Sequence, residues 1–362
     1  MSSRRSRKTF NPGKTIARYS IMRLVGQGGY GDIYECIDLD NHQFYAMKVE
    51  NLACKKQGLK RELDVIRHLH SKFFPQFICY GETSKYRYLV MELCGPSFSG
   101  LRRILPNHQF SISTVLRVGI EMLKCIEKMH SLGYLHRDIK PSNFLLRASR
   151  RHPLALIDYG LSRPYIDPKT HLMIKPRSKP GFVGTTKYAS LNAHTGEELG
   201  CVDDLYSWFF SLLEMWAGRL PWSVSADKDE VFNAKMRTDI PLFIKDMPSQ
   251  MTNVYRLIRR MKREDTPNYP LLYSFLLDAM RECGAKWDDP YEWESIDTTE
   301  LSPVSLIPPA GDKPVIPDNL PPPVMPRLDL NALVEDLPST TRSTSSRRNH
   351  GVTSSRRRHN YV

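Results

Sequence analysis

The chain has 362 residues, 41% of them hydrophobic and 25% charged, with a formal net charge of +13. That is enough apolar material for one sizeable core with a tail left over. Its seven scattered cysteines, odd in number and without a C-x-x-C pair, argue against a disulfide framework or a zinc site, and its polar N-terminus argues against a secretory leader.

The charge is unevenly placed. Six basic residues (Arg4, Arg5, Arg7, Lys8, Lys14, Arg18) stand in residues 1–18 and six (Arg342, Arg347, Arg348, Arg356, Arg357, Arg358) in 342–362, with no acid in either stretch. The body between them is close to balanced, and such termini read as solvated arms. Specific nucleic-acid binding is not expected, and no apolar stretch suits a membrane span. Residues 1–15 read as a basic disordered arm. A reducing, cytoplasmic setting fits, with nuclear import or loose attachment to acidic polymers as the lesser alternative.

Apolar runs Tyr19–Val25 and Ile33–Ile37 flank Gly26-Gln27-Gly28-Gly29-Tyr30-Gly31. A dinucleotide-binding turn would be followed by a helix, whereas residues 32–37 alternate like a strand, so a hairpin over phosphates is predicted. Glycines there let backbone amides approach phosphate where a Cβ would clash. Phe44–Val49 reads as the next strand and carries Ala46 and Lys48. Apolar residues at 59, 63, 66 and 69 predict a half-buried helix with Glu62 beside its apolar face. Tyr88–Gly95 reads as a strand running into a connector. Beyond it Val115, Gly119, Met122, Leu123, Ile126 and Met129 describe a long amphipathic helix that delivers the chain to His136.

His136–Asn143 is H-R-D-I-K-P-S-N, and Asp158-Tyr159-Gly160 follows fifteen residues after Asn143. Transfer of a γ-phosphoryl group needs a base near the attacking hydroxyl, oxygen ligands for Mg²⁺ and a cation for the phosphates. Asp138, Lys140, Asn143 and Asp158 are residues of these kinds, and the protein-kinase signature that they resemble implies the roles: Asp138 the base, Lys140 the cation, Asn143 and Asp158 the metal ligands. A carboxylate and an amide suit a hard cation better than His or Cys would.

These motifs are the signature of the protein kinase superfamily. The resemblance implies an α+β, bilobal protein-kinase fold, with a small β-rich N-lobe at 16–93 and a larger, mainly helical C-lobe at 96–295. It implies ATP and Mg²⁺ as cofactors, Gly26 to Gly31 with Ile33 and Ala46 around the nucleotide, and a Lys48–Glu62 ion pair. It also makes Met91 the gatekeeper, with the Glu92 carbonyl and the Cys94 amide on the adenine edge.

Further along, Gly184-Thr185-Thr186-Lys187-Tyr188-Ala189-Ser190-Leu191-Asn192-Ala193-His194 replaces the usual A-P-E, and a second apolar helix is expected from Asp204. With Asp203-Asp204-Leu205-Tyr206-Ser207, Gly218–Trp222, Lys245–Ser249 and Pro267–Pro270, the chain resembles the casein kinase 1 group, and its tau-tubulin kinase branch most. That resemblance implies a monomeric serine/threonine kinase of proteins, with Asp204 bracing the catalytic loop. Lys175, Arg177, Lys179 and Lys187 imply tolerance for acidic or already phosphorylated target sites. Val183 stands where the branch often has Arg, which speaks against an anion pocket there. Tyr159 replaces the usual Phe and fits an apolar slot if its hydroxyl finds a partner.

Residues 301–341 hold ten prolines and few aromatics, and 339–355 are rich in Ser, Thr and Arg. Residues 296–362 therefore read as a disordered tail. The alternative to an active enzyme is a pseudokinase scaffold that presents the basic arms to partners; the complete catalytic set argues against it.

Overall fold

The computed structural model describes residues 9–296, apart from 29–30, 54–57, 150–151 and 224. Residues 1–8 of the arm expected at 1–15, residues 297–362 of the tail expected at 296–362, and Gly29 and Tyr30 lie outside the described residues. Within the expected arm Phe10 packs against Tyr34 and Tyr86 and Thr15 opens the first strand, so that part of it is ordered.

The N-terminal part is a six-stranded antiparallel sheet of β1 (Thr15–Ile16), β2 (Tyr19–Gly28), β3 (Gly31–Asp38), β4 (Phe44–Asn51), β5 (Phe77–Glu82) and β6 (Tyr86–Glu92), ordered β1-β2-β3-β4-β6-β5. The period-two alternation of strands divides its residues between two faces. Tyr34, Cys36, Met47, Val49 and Val90 turn to one side and make a small core with Ile16, Tyr19 and Ile21. Ile33, Ala46, Lys48 and Met91 take the alternate positions, in the register Gly26↔Ile33↔Lys48 and Ala46↔Met91. A strand follows the glycines, as the alternation predicts. Gly31 has no alternative there: at φ +148°, a Cβ would lie 2.5 Å from Val49 O.

Helix α1 (Gly58–Ile66) buries Leu59, Leu63 and Ile66, and with them Glu62. Leu69 is also buried, although the helix ends before it.

The helical part begins with α2 (Phe98–Ile104), capped by Ser97, and α3 (Ile112–Ser131), capped by Ser111. Helix α3 packs against α5 (Cys201–Ala217), where Leu212 presses on Gly119 and Trp208 Nε1 donates to the Gly119 carbonyl (3.0 Å). Helix α5 starts at Cys201, three residues before the expected Asp204. The reason is local: Gly200 is the N-cap, and Asp203 at the third position accepts its amide at 2.7 Å, so the helix gains a turn before its apolar run begins. Short strands β7 (Tyr134–Leu135), β8 (Phe144–Leu146), β9 (Leu154–Leu156) and β10 (Arg163–Pro164) carry the loops between α3 and α5, and α4 (Leu191–Thr195) precedes α5. Helices α6 (Lys228–Arg237), α7 (Ile240–Phe243), α8 (Gln250–Arg260) and α9 (Tyr269–Glu282) complete the lobe.

After α9 the chain returns to the start of α3. Glu292 accepts from Ser111 N and Thr114 Oγ1, Arg117 lies 4.0 Å from the Tyr291 ring centre, and Trp293 is buried against Phe98 and Phe110. Among the described residues no helix is long and apolar enough to cross a membrane.

Candidate active site

A cleft of about 440 Å³ lies between the sheet and the helical part, with Gly26, Ile33, Ala46, Lys48, Met91, Glu92, Cys94 and Asp158 among its walls. Apolar side chains of β3, β4 and β6 form its roof, as the sheet register requires.

Lys48 is the buried pivot. Its Nζ lies 2.6 Å from Glu62 Oε2 and 3.2 Å from Asp158 Oδ1, joining β4, α1 and the segment after β9. Burial alone would discharge the ammonium, but the two carboxylates outweigh that and hold it above its ordinary value. Asp158 is half-buried, and Lys48 more than offsets the cost of that burial, so its carboxyl is held below the usual range. Its backbone takes φ +67°, a left-handed turn that Asp tolerates better than most residues.

Asp138, 7% exposed, lies on the loop beside that cleft and is not among its walls. Lys140 Nζ donates to its Oδ2 (2.6 Å), Thr185 Oγ1 donates to its Oδ1 (2.7 Å), and Lys140 also reaches Thr185 (2.9 Å). Asn143 Nδ2 donates to Asp138 O (2.8 Å), which leaves the Asn143 amide oxygen available. Ile157 N donates to Asn143 O (2.9 Å), so Asn143 and Asp158 belong to adjoining strands of backbone. Among the described residues no cluster of three His, Cys, Asp or Glu could hold a metal alone. One carboxylate and one amide suit a cation that takes its remaining oxygens from phosphate and water.

The pattern of the protein kinase domain family matches residues 19–269. The chain belongs to the protein kinase family. It is 37% identical over 281 residues to a Dictyostelium discoideum protein named as a probable serine/threonine-protein kinase, an alignment covering 76% of this chain and 56% of that protein. A Caenorhabditis elegans protein with a similar name is 36% identical over 289 residues, 76% of this chain and 82% of the relative. The chain thus spans little more than half the length of the first relative.

In this member of the family the His136–Asn143 loop is braced from below. Asp204 on α5 accepts the backbone amides of His136 and Arg137 (both 2.8 Å) and faces His130 Nε2 at 2.9 Å. Arg137 takes φ +66°, which turns two consecutive amides onto one carboxylate. Neither aspartate is a simple helix cap: Asp203 holds Gly200, Ser190 and Asn192, while Asp204 holds the loop. Gly184, at φ +100°, packs so close to Arg137 O that a Cβ would sit 2.7 Å away. Tyr159 is fully buried, and its hydroxyl donates to Leu156 O, the partner that a Tyr needs in an apolar slot.

The four expected substrate-facing cations divide. Lys175 and Lys179 are exposed. Arg177 is engaged by Glu198 through two hydrogen bonds (2.6 and 2.9 Å), and Lys187 by the buried Glu214 (2.6 Å), which also takes Tyr188 and Arg102. These two cations are neutralised within the chain because nearby buried carboxylates need partners.

Two site residues escaped the sequence reading. Thr185 bridges Asp138 and Lys140, and its only signal was a Thr directly after Gly184. Arg147, just past β8, clamps both oxygens of Glu92 (2.8 and 2.7 Å) and donates to Phe74 O, so it fastens the connector from behind. No sequence signal marks Arg147.

Proposed function

We propose that the chain is an active protein serine/threonine kinase of the casein kinase 1 group, closest to the tau-tubulin kinase branch, transferring the γ-phosphoryl group of ATP to Ser or Thr hydroxyls of protein substrates. The observation that carries this reading is Lys48 contacting Glu62 and Asp158 at once. That arrangement ties β4 and α1 to Asp158, whose neighbour Ile157 is bonded to Asn143 of the loop that carries Asp138.

Asp138 accepts the proton of the target hydroxyl as that oxygen attacks the γ-phosphorus and the β–γ bridging oxygen leaves with ADP. Lys140, bonded to Asp138, neutralises the γ-phosphate. Lys48 meets the α- and β-phosphates, and the amides of Gly26, Gln27, Gly28 and Gly31 cover them. The Glu92 carbonyl and Cys94 amide hold the adenine edge, under Ile33, Ala46 and Met91. Asn143 and Asp158 would hold Mg²⁺, which when bound neutralises charge on the phosphate oxygens. The catalytic work is positioning and charge stabilisation, so no covalent intermediate is needed.

K-P-S-N at 140–143 supports a serine/threonine preference, and the exposed Lys175 and Lys179 support tolerance for acidic or phosphorylated target sites. Peptide arrays test this, and selection of basic peptides would overturn it. The kinase reading itself is tested with purified chain, labelled ATP and casein: incorporation that EDTA abolishes supports it. Nucleotide-independent folding with no incorporation would favour the pseudokinase scaffold.

A further inference from the structure

The segment from Gly184 to His194 lacks A-P-E, and with it the acid that would pin the segment through an ion pair. A different group holds it. Lys235, on α6, is 7% exposed, and its Nζ donates to Thr186 O (2.8 Å) and Ala189 O (2.5 Å) and lies 3.3 Å from His194 Nε2. The rings of Phe210 and Trp222 flank it, with centres at 5.3 and 5.7 Å.

Among the described residues no carboxylate pairs with Lys235, and burial pulls its ammonium down to about 7. A buried cation without an acid is costly, and an ammonium has three protons to place. Two carbonyls of the activation segment accept from it, and His194 Nε2 lies within 3.3 Å of both its Nζ and Thr186 O. Thr186, whose carbonyl is one of those acceptors, directly follows Thr185, whose hydroxyl donates to Asp138.

We propose that Lys235 is a positioning residue for the protein substrate: it gathers the Thr186 and Ala189 carbonyls and the His194 ring into one fixed bend, holding Thr185 against Asp138 and shaping the surface that receives the polypeptide. This rests on the reading of the cleft as a kinase centre. It assigns Lys235 to the polypeptide substrate and not to ATP, since none of its contacts reaches the nucleotide cleft.

The test compares the full chain with its Lys235→Met and Lys235→Arg forms, using casein and ATP, and follows backbone hydrogen exchange. In Lys235→Met, kcat/KM for casein should fall about 100-fold, the scale of a misplaced reacting group. KM for ATP should stay within about 2-fold, and Lys235→Arg should recover much of the loss. The amides of Tyr188 and Ala189, both bonded to Thr185 O, should exchange faster in Lys235→Met while those of α3 do not change. Unchanged kcat/KM for casein, a loss shared equally with KM for ATP, or unaltered exchange at 188 and 189 would each overturn the proposal. If Lys235→Met does not fold, Lys235→Gln, with a shorter N–H donor, takes the same two readouts. If the wild type shows no turnover, the kinase reading fails alone, and the exchange data still decide the clamp.

Discussion

Lys48 Nζ on β4 lies 2.6 Å from Glu62 Oε2 on α1, and both side chains are buried. A buried pair of this kind contributes little over an apolar pair, but removing one partner leaves the other charge stranded, at a cost of about 3–5 kcal/mol. Lys48→Met should therefore lower the thermal midpoint as well as abolish turnover. Calorimetry checks the first effect and labelled-phosphate transfer the second. A variant with normal stability and measurable turnover would contradict the role given to the pair.

Arg147 grips Glu92 from behind the cleft through both carboxylate oxygens. Glu92 also ends β6, whose backbone faces the adenine site, so loosening the clamp should disturb nucleotide binding more than chemistry. Arg147→Ala is expected to raise KM for ATP about 10-fold with kcat within about 2-fold. Steady-state kinetics at varied ATP decide it.

Tyr159 offers a milder perturbation. Its hydroxyl donates to Leu156 O inside the core, so Tyr159→Phe leaves a buried carbonyl short of a partner. The expected loss is about 1 kcal/mol of stability, with kcat unaltered because the ring still packs edge-on against Phe74. Thermal unfolding and a turnover assay on one preparation test both halves.

Asp204 and His130 make stability depend on pH. Burial opposes the charge on each. Cys201 and Asp204 nevertheless raise His130 from 6.5 to about 10, and His130 keeps Asp204 below its usual 3.8. A raised histidine contributes stability that is complete below pH 6.5 and lost as pH rises through about 10. A depressed aspartate contributes stability that is present above 3.8 and lost as pH falls through its lower folded value. The stability difference between the wild type and His130→Phe should be constant between about pH 4 and 6.5 and shrink as pH rises toward 10; taking the difference removes the opposite drift from Lys235, whose lowered value of about 7 makes the fold gain stability over the same rise.

Much of this was legible in the sequence, because the legible parts are local. Glycine spacing, strand alternation and the apolar steps at 59, 63 and 66 placed the hairpin, β4 and α1, and the two acidic motifs placed Asp138 and Asp158. The parts that were not legible depend on distant residues meeting. Thr185 matters because its hydroxyl lands on Asp138, Arg147 because it reaches behind Glu92, and Lys235 because α6 brings it under Ala189. Arg177 and Lys187 looked like free cations along the chain, and only folding brings Glu198 and Glu214 to them. The start of α5 was displaced for the same kind of reason, since Asp203 bonds back to Gly200 ahead of the apolar run.

The central claim is that Asp138, held by Lys140 and Thr185, receives a hydroxyl proton during phosphoryl transfer. The most direct test is the rate of label transfer from ATP to casein for the wild type and Asp138→Asn, with nucleotide binding measured on the same samples. A fall in kcat of about 10²–10⁴-fold, with ATP affinity retained, is the predicted result. Equal rates for the two proteins, or a wild type that binds ATP and transfers nothing, would contradict it.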